Sequence, residues 1–218
     1  MRKFMNKKDE TTHSKIGRME FVGKYEDTSD ILTMPFLPRI NACISVYKEN
    51  ASGKFEKARM AKNALSELGV PNTDETRRTI FLSFLENMAD DKESEPVLMQ
   101  MPFGHKLSVL SARKKELKKA IKTDGYKFCS NQTLMYGASS IFIPGVLEKI
   151  GDAIGDFYIV PTSVHEVMIL EVDAAPSVAV ILNALKEQNQ NRNCVEEEDI
   201  LSDAVFYYDA KSRKVTEI

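Results

Sequence analysis

The chain has 218 residues, 43% apolar and 28% charged, with thirty basic residues against thirty-two acidic ones and a net charge of -2. That length carries one large domain or two small ones, with a core that needs no covalent staples. The near balance of charge argues against strong nonspecific attraction of the whole molecule to nucleic acid or anionic membrane, and no run approaches the roughly 18 apolar residues of a membrane span.

Cys43, Cys129 and Cys194 are odd in number, widely spaced and without a C-x-x-C. They indicate neither a disulfide framework nor a zinc site. Reduced thiols, and the absence of an apolar core in "MRKFMNKKDETTHSK", fit a soluble cytoplasmic protein.

In chain order, residues 1–18 are polar, charged and aperiodic, which predicts a mobile tail. "MPFLPRINACISVYKEN" reads as an extended lead-in and then a strand around Ile44 to Tyr47. "GKFEKARMAKNALSELG" puts Phe55, Ala58, Ala61, Leu65 and Leu68 at helical spacing, stopped by Gly69. "PNTDETRRTIFLSFLENMADD" predicts a helix capped at Asn72 or Thr73, with Ile80, Phe81, Phe84, Leu85 and Met88 as its buried stripe. "VLMQMPF" reads as a strand and "HKLSVLSARKKELKKAIKTDG" as a basic helix, its first residues possible strand.

Beyond residue 125 the pattern changes. "ASSIFIP" reads as a strand, "GVLEKIGDAIG" as a short helix, and "DFYIVP" and "HEVMILEV" as two strands around Pro-Thr-Ser. "APSVAVILNALKEQNQNRN" reads as a second helix, and the last residues as a hairpin turning at "DAKSRK". The fold expected is α+β: a mixed, mostly antiparallel sheet covered by helices, with a helix-rich N-terminal half. Its strands fall near 139–143, 157–161, 165–172, 204–209 and 214–217. The expected organisation is a tail over 1–18, a helix-rich part over 19–124 and an α+β part over 125–218, packed as one unit.

His165 and Glu166 are the first candidate site. On a strand they would point to opposite faces, and the following V-M-I excludes H-E-x-x-H zinc spacing. Thr162 and Ser163 offer hydroxyls to a ligand, although such residues more often bond their own backbone to shape a turn. Ser111 and Lys114 form S-x-x-K, but without K-T-G the pair carries little. The basic run Arg113, Lys114, Lys115, Lys118, Lys119 and Lys122 could grip phosphates. Its alternation with Leu117, Ala120 and Ile121 describes equally well an amphipathic helix with a wet face. The acidic run Glu196 to Asp199 reads as a loop or helix start. There is no G-x-G-x-x-G and no P-loop, so no cofactor and no metal site is expected.

The stretch "MYGASSIFIPGVLEKIGDAIGDFYIVPTSVHEVMIL", followed by "ILSDAVFYYD", resembles the domain-of-unknown-function-5688 family of uncharacterised bacterial proteins. The family's motifs fall here on Gly137-Ala138, Pro144 to Leu147, Phe157 to Val167, Leu201 to Asp203 and Phe206 to Asp209. The resemblance is strongest over about residues 126–210 and looser over 40–100; Thr162 stands where the family usually has Ser. It implies a shared fold and no activity.

The leading expectation is a non-enzymatic binding or regulatory protein with an unidentified protein or small-molecule partner. Thr162, Ser163, His165, Glu166, Ser202 and Asp203 would converge as its binding site. The alternative is a small hydrolase with His165 as base, oriented by Glu166 or Asp203. A second alternative is nucleic-acid binding through the 113–122 helix, which the overall charge does not favour.

Overall fold

Alternation, not helical spacing, organises the N-terminal part of the chain. The computed structural model describes residues 15–49, 55–102 and 104–218. Its first sheet holds β1 (Lys15–Phe21), β2 (Thr33–Leu37), β3 (Ile40–Glu49) and β4 (Phe55–Arg59). The long β3 pairs antiparallel with β1 along one edge. Its other edge is shared, with β2 on Ile40 to Cys43 and β4 on Ser45 to Glu49. Period-two alternation puts Met19 and Phe21 on one face and Arg18 and Glu20 on the other. The apolar face packs against α2 (Asp74–Asn87), whose Phe81 and Leu85 are buried in the same core as Met19, Phe21 and Ile44.

The N-terminal half is therefore rich in strands, not helices. The helix expected over 53–69 shrinks to one turn, α1 (Ala64–Glu67), after β4. Of the positions at helical spacing, Leu65 is buried but Leu68 is 72% exposed. Over 55–59 period two instead puts Lys57 and Arg59 on one face, where they meet carboxylates of Glu20 and Glu26. Ladder hydrogen bonds to β3 and these ion pairs outweigh a helix propensity worth only tenths of a kcal/mol per residue. Of the tail expected over 1–18, residues 1–14 lie outside the described residues and Lys15 opens β1.

The second sheet runs β11-β10-β8-β9-β7-β5-β6, and every pairing in it is antiparallel. Its strands are β5 (Val97–Met101), β6 (His105–Ser108), β7 (Tyr126–Ser130), β8 (Phe157–Val160), β9 (Val167–Glu171), β10 (Phe206–Asp209) and β11 (Lys214–Glu217). The sheet draws strands from both sides of the composition change near residue 125. Phe157, Ile159, Val167, Ile169, Phe206 and Tyr208 face the main core, which includes Leu117 and Ile121 of α3 (Lys114–Lys122) and Ile150 and Ala153 of α4 (Val146–Ile154). On the opposite face, Val160 packs with Ile181 and Leu185 of α5 (Val178–Gln190). Among the described residues no helix is long and apolar enough to cross a membrane.

The strand expected at 139–143 is a short 3-10 helix, Ala138–Phe142, and β7 occupies the sheet instead. Ala138, Ser139, Ser140 and Ile141 are all buried, so the segment has no solvent face with which to alternate. Ser139 Oγ donates to the Met19 carbonyl at 2.7 Å, tying this turn to the first sheet. On α3, Leu117 and Ile121 face inward while Lys114, Lys115, Lys118, Lys119 and Lys122 are exposed, as an amphipathic helix requires.

Candidate binding site at the β8–β9 connection

Pro161 cannot donate to a ladder, and the chain leaves β8 there. The 161–166 connection then bonds to itself. Thr162 Oγ1 donates to the Glu166 carbonyl at 3.0 Å, and Ser163 Oγ to Glu166 Oε1 at 2.9 Å. The His165 N–H donates to Ser163 Oγ at 3.0 Å. His165 and Glu166 thus precede β9 instead of occupying its two faces, and strand alternation does not govern where they point. Glu166 turns back onto the two hydroxyls; His165 turns out.

The His165 ring has a hydrogen-bond donor at one nitrogen and a carboxylate near the other. Nδ1 accepts from the Tyr136 backbone N–H at 3.0 Å, and Nε2 lies 3.2 Å from Asp199 Oδ1. A nitrogen that accepts from an N–H carries no hydrogen, so the ring's hydrogen sits on Nε2, whose contact with Asp199 falls outside hydrogen-bond geometry. The backbone is pinned as well. The His165 carbonyl accepts from Ser130 Oγ at 2.6 Å and from the Gly137 N–H at 3.1 Å, and the Val164 N–H donates to the Asp199 carbonyl at 2.9 Å.

Tyr136 presents its N–H because the 131–137 loop is tightly wound. Asn131 brackets Met135, donating to its carbonyl at 2.9 Å and accepting from its N–H at 3.3 Å. Leu134 and Tyr136 take left-handed backbone angles, with φ of 60° and 52°. Gly137 is required sterically, since a Cβ there would fall 2.3 Å from Ser130 Oγ and 2.9 Å from the His165 carbonyl oxygen.

A pocket of about 250 Å³ opens beside this connection. Thr162, Ser163, His165 and Glu166 form one wall; Gln188 of α5 and the loop carrying Arg192, Cys194, Glu196 and Asp199 form the other. Gln188 ties the walls together, donating to the Thr162 carbonyl at 2.8 Å. Arg192 lies 3.3 Å from Glu197. Cys194 is exposed, whereas Cys43 and Cys129 are buried, and burial pushes each of those thiols up to about 12. Neither buried thiol offers a thiolate at neutral pH. Among the described residues no group of three or more His, Cys, Asp or Glu side chains is arranged to hold a metal ion.

Four of the six residues singled out from sequence therefore line one pocket, while Ser202 and Asp203 do not. Asn189 of α5 donates to the Ser202 carbonyl at 3.1 Å and to Asp203 Oδ1 at 2.8 Å, and Lys24 pairs with the other Asp203 oxygen. The carboxylate at His165 is Asp199, not Asp203 or Glu166. Asp199 sits inside the acidic run at the end of a short 3-10 turn, Glu197–Asp199. No local pattern marks it, because its partner lies on a distant element. Tyr136 contributes only a backbone N–H, which residue type does not reveal.

Burial acts to raise the Asp203 pKa, but hydrogen bonds from Lys24 and Asn189 and the charges of Lys24 and Lys186 outweigh it, leaving the value below the usual carboxylate range. A depressed folded-state value stabilises the fold above the unfolded carboxylate value of 3.8, and that stability is lost as pH falls through the lower folded value. Asp203→Asn is expected to flatten this acid limb in urea unfolding run from neutral to acid pH; an unchanged limb would count against the pair.

A comparison with known protein families matches residues 47–210 to a family described as being of unknown function, DUF5688. Neither curated proteins nor solved structures produce a match. The family match takes in β4 to β10, and with them the Tyr136 loop, the β8–β9 connection and the Asp199 turn. With most of its length matched, the chain belongs to the DUF5688 family.

Proposed function

We propose that this protein is a non-enzymatic binding protein and that the pocket beside the β8–β9 connection is its ligand site. The observation that carries this reading is the Tyr136 N–H bound to His165 Nδ1, which leaves the ring hydrogen on Nε2. A general base needs a free lone pair within reach of the proton it removes. The Nδ1 lone pair is taken by the Tyr136 N–H, and Nε2 faces Asp199. Glu166 Oε1 likewise accepts from the Ser163 hydroxyl.

The pocket's chemistry suits recognition. At about 250 Å³ it lies just below the range of roughly 300–1,000 Å³ typical of drug-sized ligands, which suits a small polar molecule. Glu166, Glu196 and Asp199 outnumber Arg192, so the lining favours a hydrogen-bond-donating cationic group such as an amine.

A thermal-shift screen of small amines, with anions and nucleotides as controls, tests this. An amine should raise the melting temperature of wild type in a saturable way, with a gain of about 2.7 kcal/mol at a hundredfold excess over Kd. Glu196→Gln should weaken that response. Ester or amide turnover that disappears in folded His165→Ala would replace this reading with the hydrolase.

A further inference from the structure

The pocket is braced from the other sheet. Lys57 on β4 places its Nζ 3.1 Å from the centre of the Tyr136 ring. The same ammonium lies 2.7 Å from Glu20 Oε2, an ion pair whose angle falls outside hydrogen-bond geometry, so the cation leans onto the ring. Glu20 is 1% exposed and also accepts from Ser45 Oγ at 2.7 Å and from the Tyr47 hydroxyl. The Tyr136 ring also meets the imidazole, with ring centroids 5.2 Å apart. A continuous line of contacts therefore runs from Glu20 through Lys57 and the Tyr136 ring to His165 and Asp199.

We infer that Lys57 is a positioning residue of the pocket: by holding the Tyr136 ring from the first sheet, it keeps the Tyr136 N–H on His165 Nδ1 and so fixes the imidazole hydrogen on Nε2. The physical need is clear. Tyr136 has a positive φ, a left-handed conformation that a non-glycine residue keeps only where its surroundings hold it. The 131–137 loop supplies part of that hold through Asn131. The Lys57 ammonium on the tyrosine face supplies a further part of it. Without it the loop is free to relax, the N–H leaves Nδ1, and the ring hydrogen can sit on either nitrogen. The consequence for ligand affinity rests on the pocket reading above; the positioning itself does not.

The test therefore needs no ligand. The full chain is labelled with ¹⁵N-histidine, and the His165 ring signals are assigned by their loss in His165→Ala. Wild type should show one protonated and one hydrogen-bonded unprotonated nitrogen, widely separated in shift. In Lys57→Met the two signals should move toward each other as the tautomers mix. Lys57→Arg, which keeps a cation able to stack on tyrosine, should restore the separation. A folded Lys57→Met with wild-type His165 signals overturns the inference. If Lys57→Met does not fold, Tyr136→Leu poses the same question, since it removes the ring and keeps the N–H: mixed tautomers support the inference, and an unchanged pattern overturns it. Failure of every amine to bind wild type would bear on the pocket reading alone.

Discussion

Glu20→Ala is expected to lower stability by about 3 kcal/mol, read as a shift of the urea midpoint at unchanged slope. Glu20 is a buried carboxylate that gathers three groups: the Lys57 ammonium, the Ser45 hydroxyl and the Tyr47 hydroxyl. Burial, and after it the Glu20 charge, hold the Tyr47 pKa well above the usual tyrosine range, so the phenol stays protonated and donates. Removing the carboxylate strands a cation whose side chain is only 21% exposed and leaves both hydroxyls without their acceptor. Breaking one side of a buried pair costs about 3–5 kcal/mol; some access of Lys57 to water sets the expectation at the lower end. Glu20→Leu with Lys57→Met should recover part of the loss, because an apolar pair leaves no unpaired charge. A single mutant as stable as wild type would remove the buried pair from the account of this fold.

His165→Ala should cost about 1–3 kcal/mol, chiefly the penalty for leaving the part-buried Tyr136 N–H without its acceptor. It also removes the ring that lies 3.2 Å from Asp199. Asp199→Asn should cost less, since the Tyr136 N–H keeps its acceptor. Chemical unfolding of the two variants reads the difference directly. Equal losses would mean that the charge of Asp199, and not its geometry, holds the ring. The alanine variant should also lose any amine response, because one wall of the pocket goes with the imidazole.

Elements whose signals are local were legible in the sequence. Thr73 caps α2 as its position suggests, accepting from the Thr76 N–H at 3.2 Å. The terminal hairpin forms around Asp209, which accepts from the Lys211 and Ser212 N–H groups within the turn. The 53–69 region reads as a helix because its apolar residues recur at helical spacing, while the charged partners that decide for a strand, Glu20 and Glu26, lie elsewhere in the chain. β7 was hidden by Lys127, a buried lysine whose ammonium is satisfied by the carbonyls of Thr123, Asp124 and Gly125 behind α3. The 138–142 turn reads as a strand because burial on all sides produces an apolar run in either geometry.

The site followed the same division. Thr162, Ser163, His165 and Glu166 were visible as polar residues set into an apolar stretch, and they do line one pocket. Their partners were not visible. Asp199 reads as one carboxylate in a solvated acidic run, and Tyr136 acts at His165 through a backbone group that every residue except proline carries. Ser202 and Asp203 looked like members of the site but belong to the seam between α5 and Lys24.

The central claim is that His165 is a clamped wall residue and not a free base. It is tested most directly by a long-range ¹H–¹⁵N spectrum of wild-type protein labelled at histidine. A single Nε2–H tautomer with Nδ1 as a hydrogen-bond acceptor is the predicted result. An Nδ1–H ring, or a ring exchanging freely between tautomers, would contradict the clamp and return His165 to the position of a catalytic base.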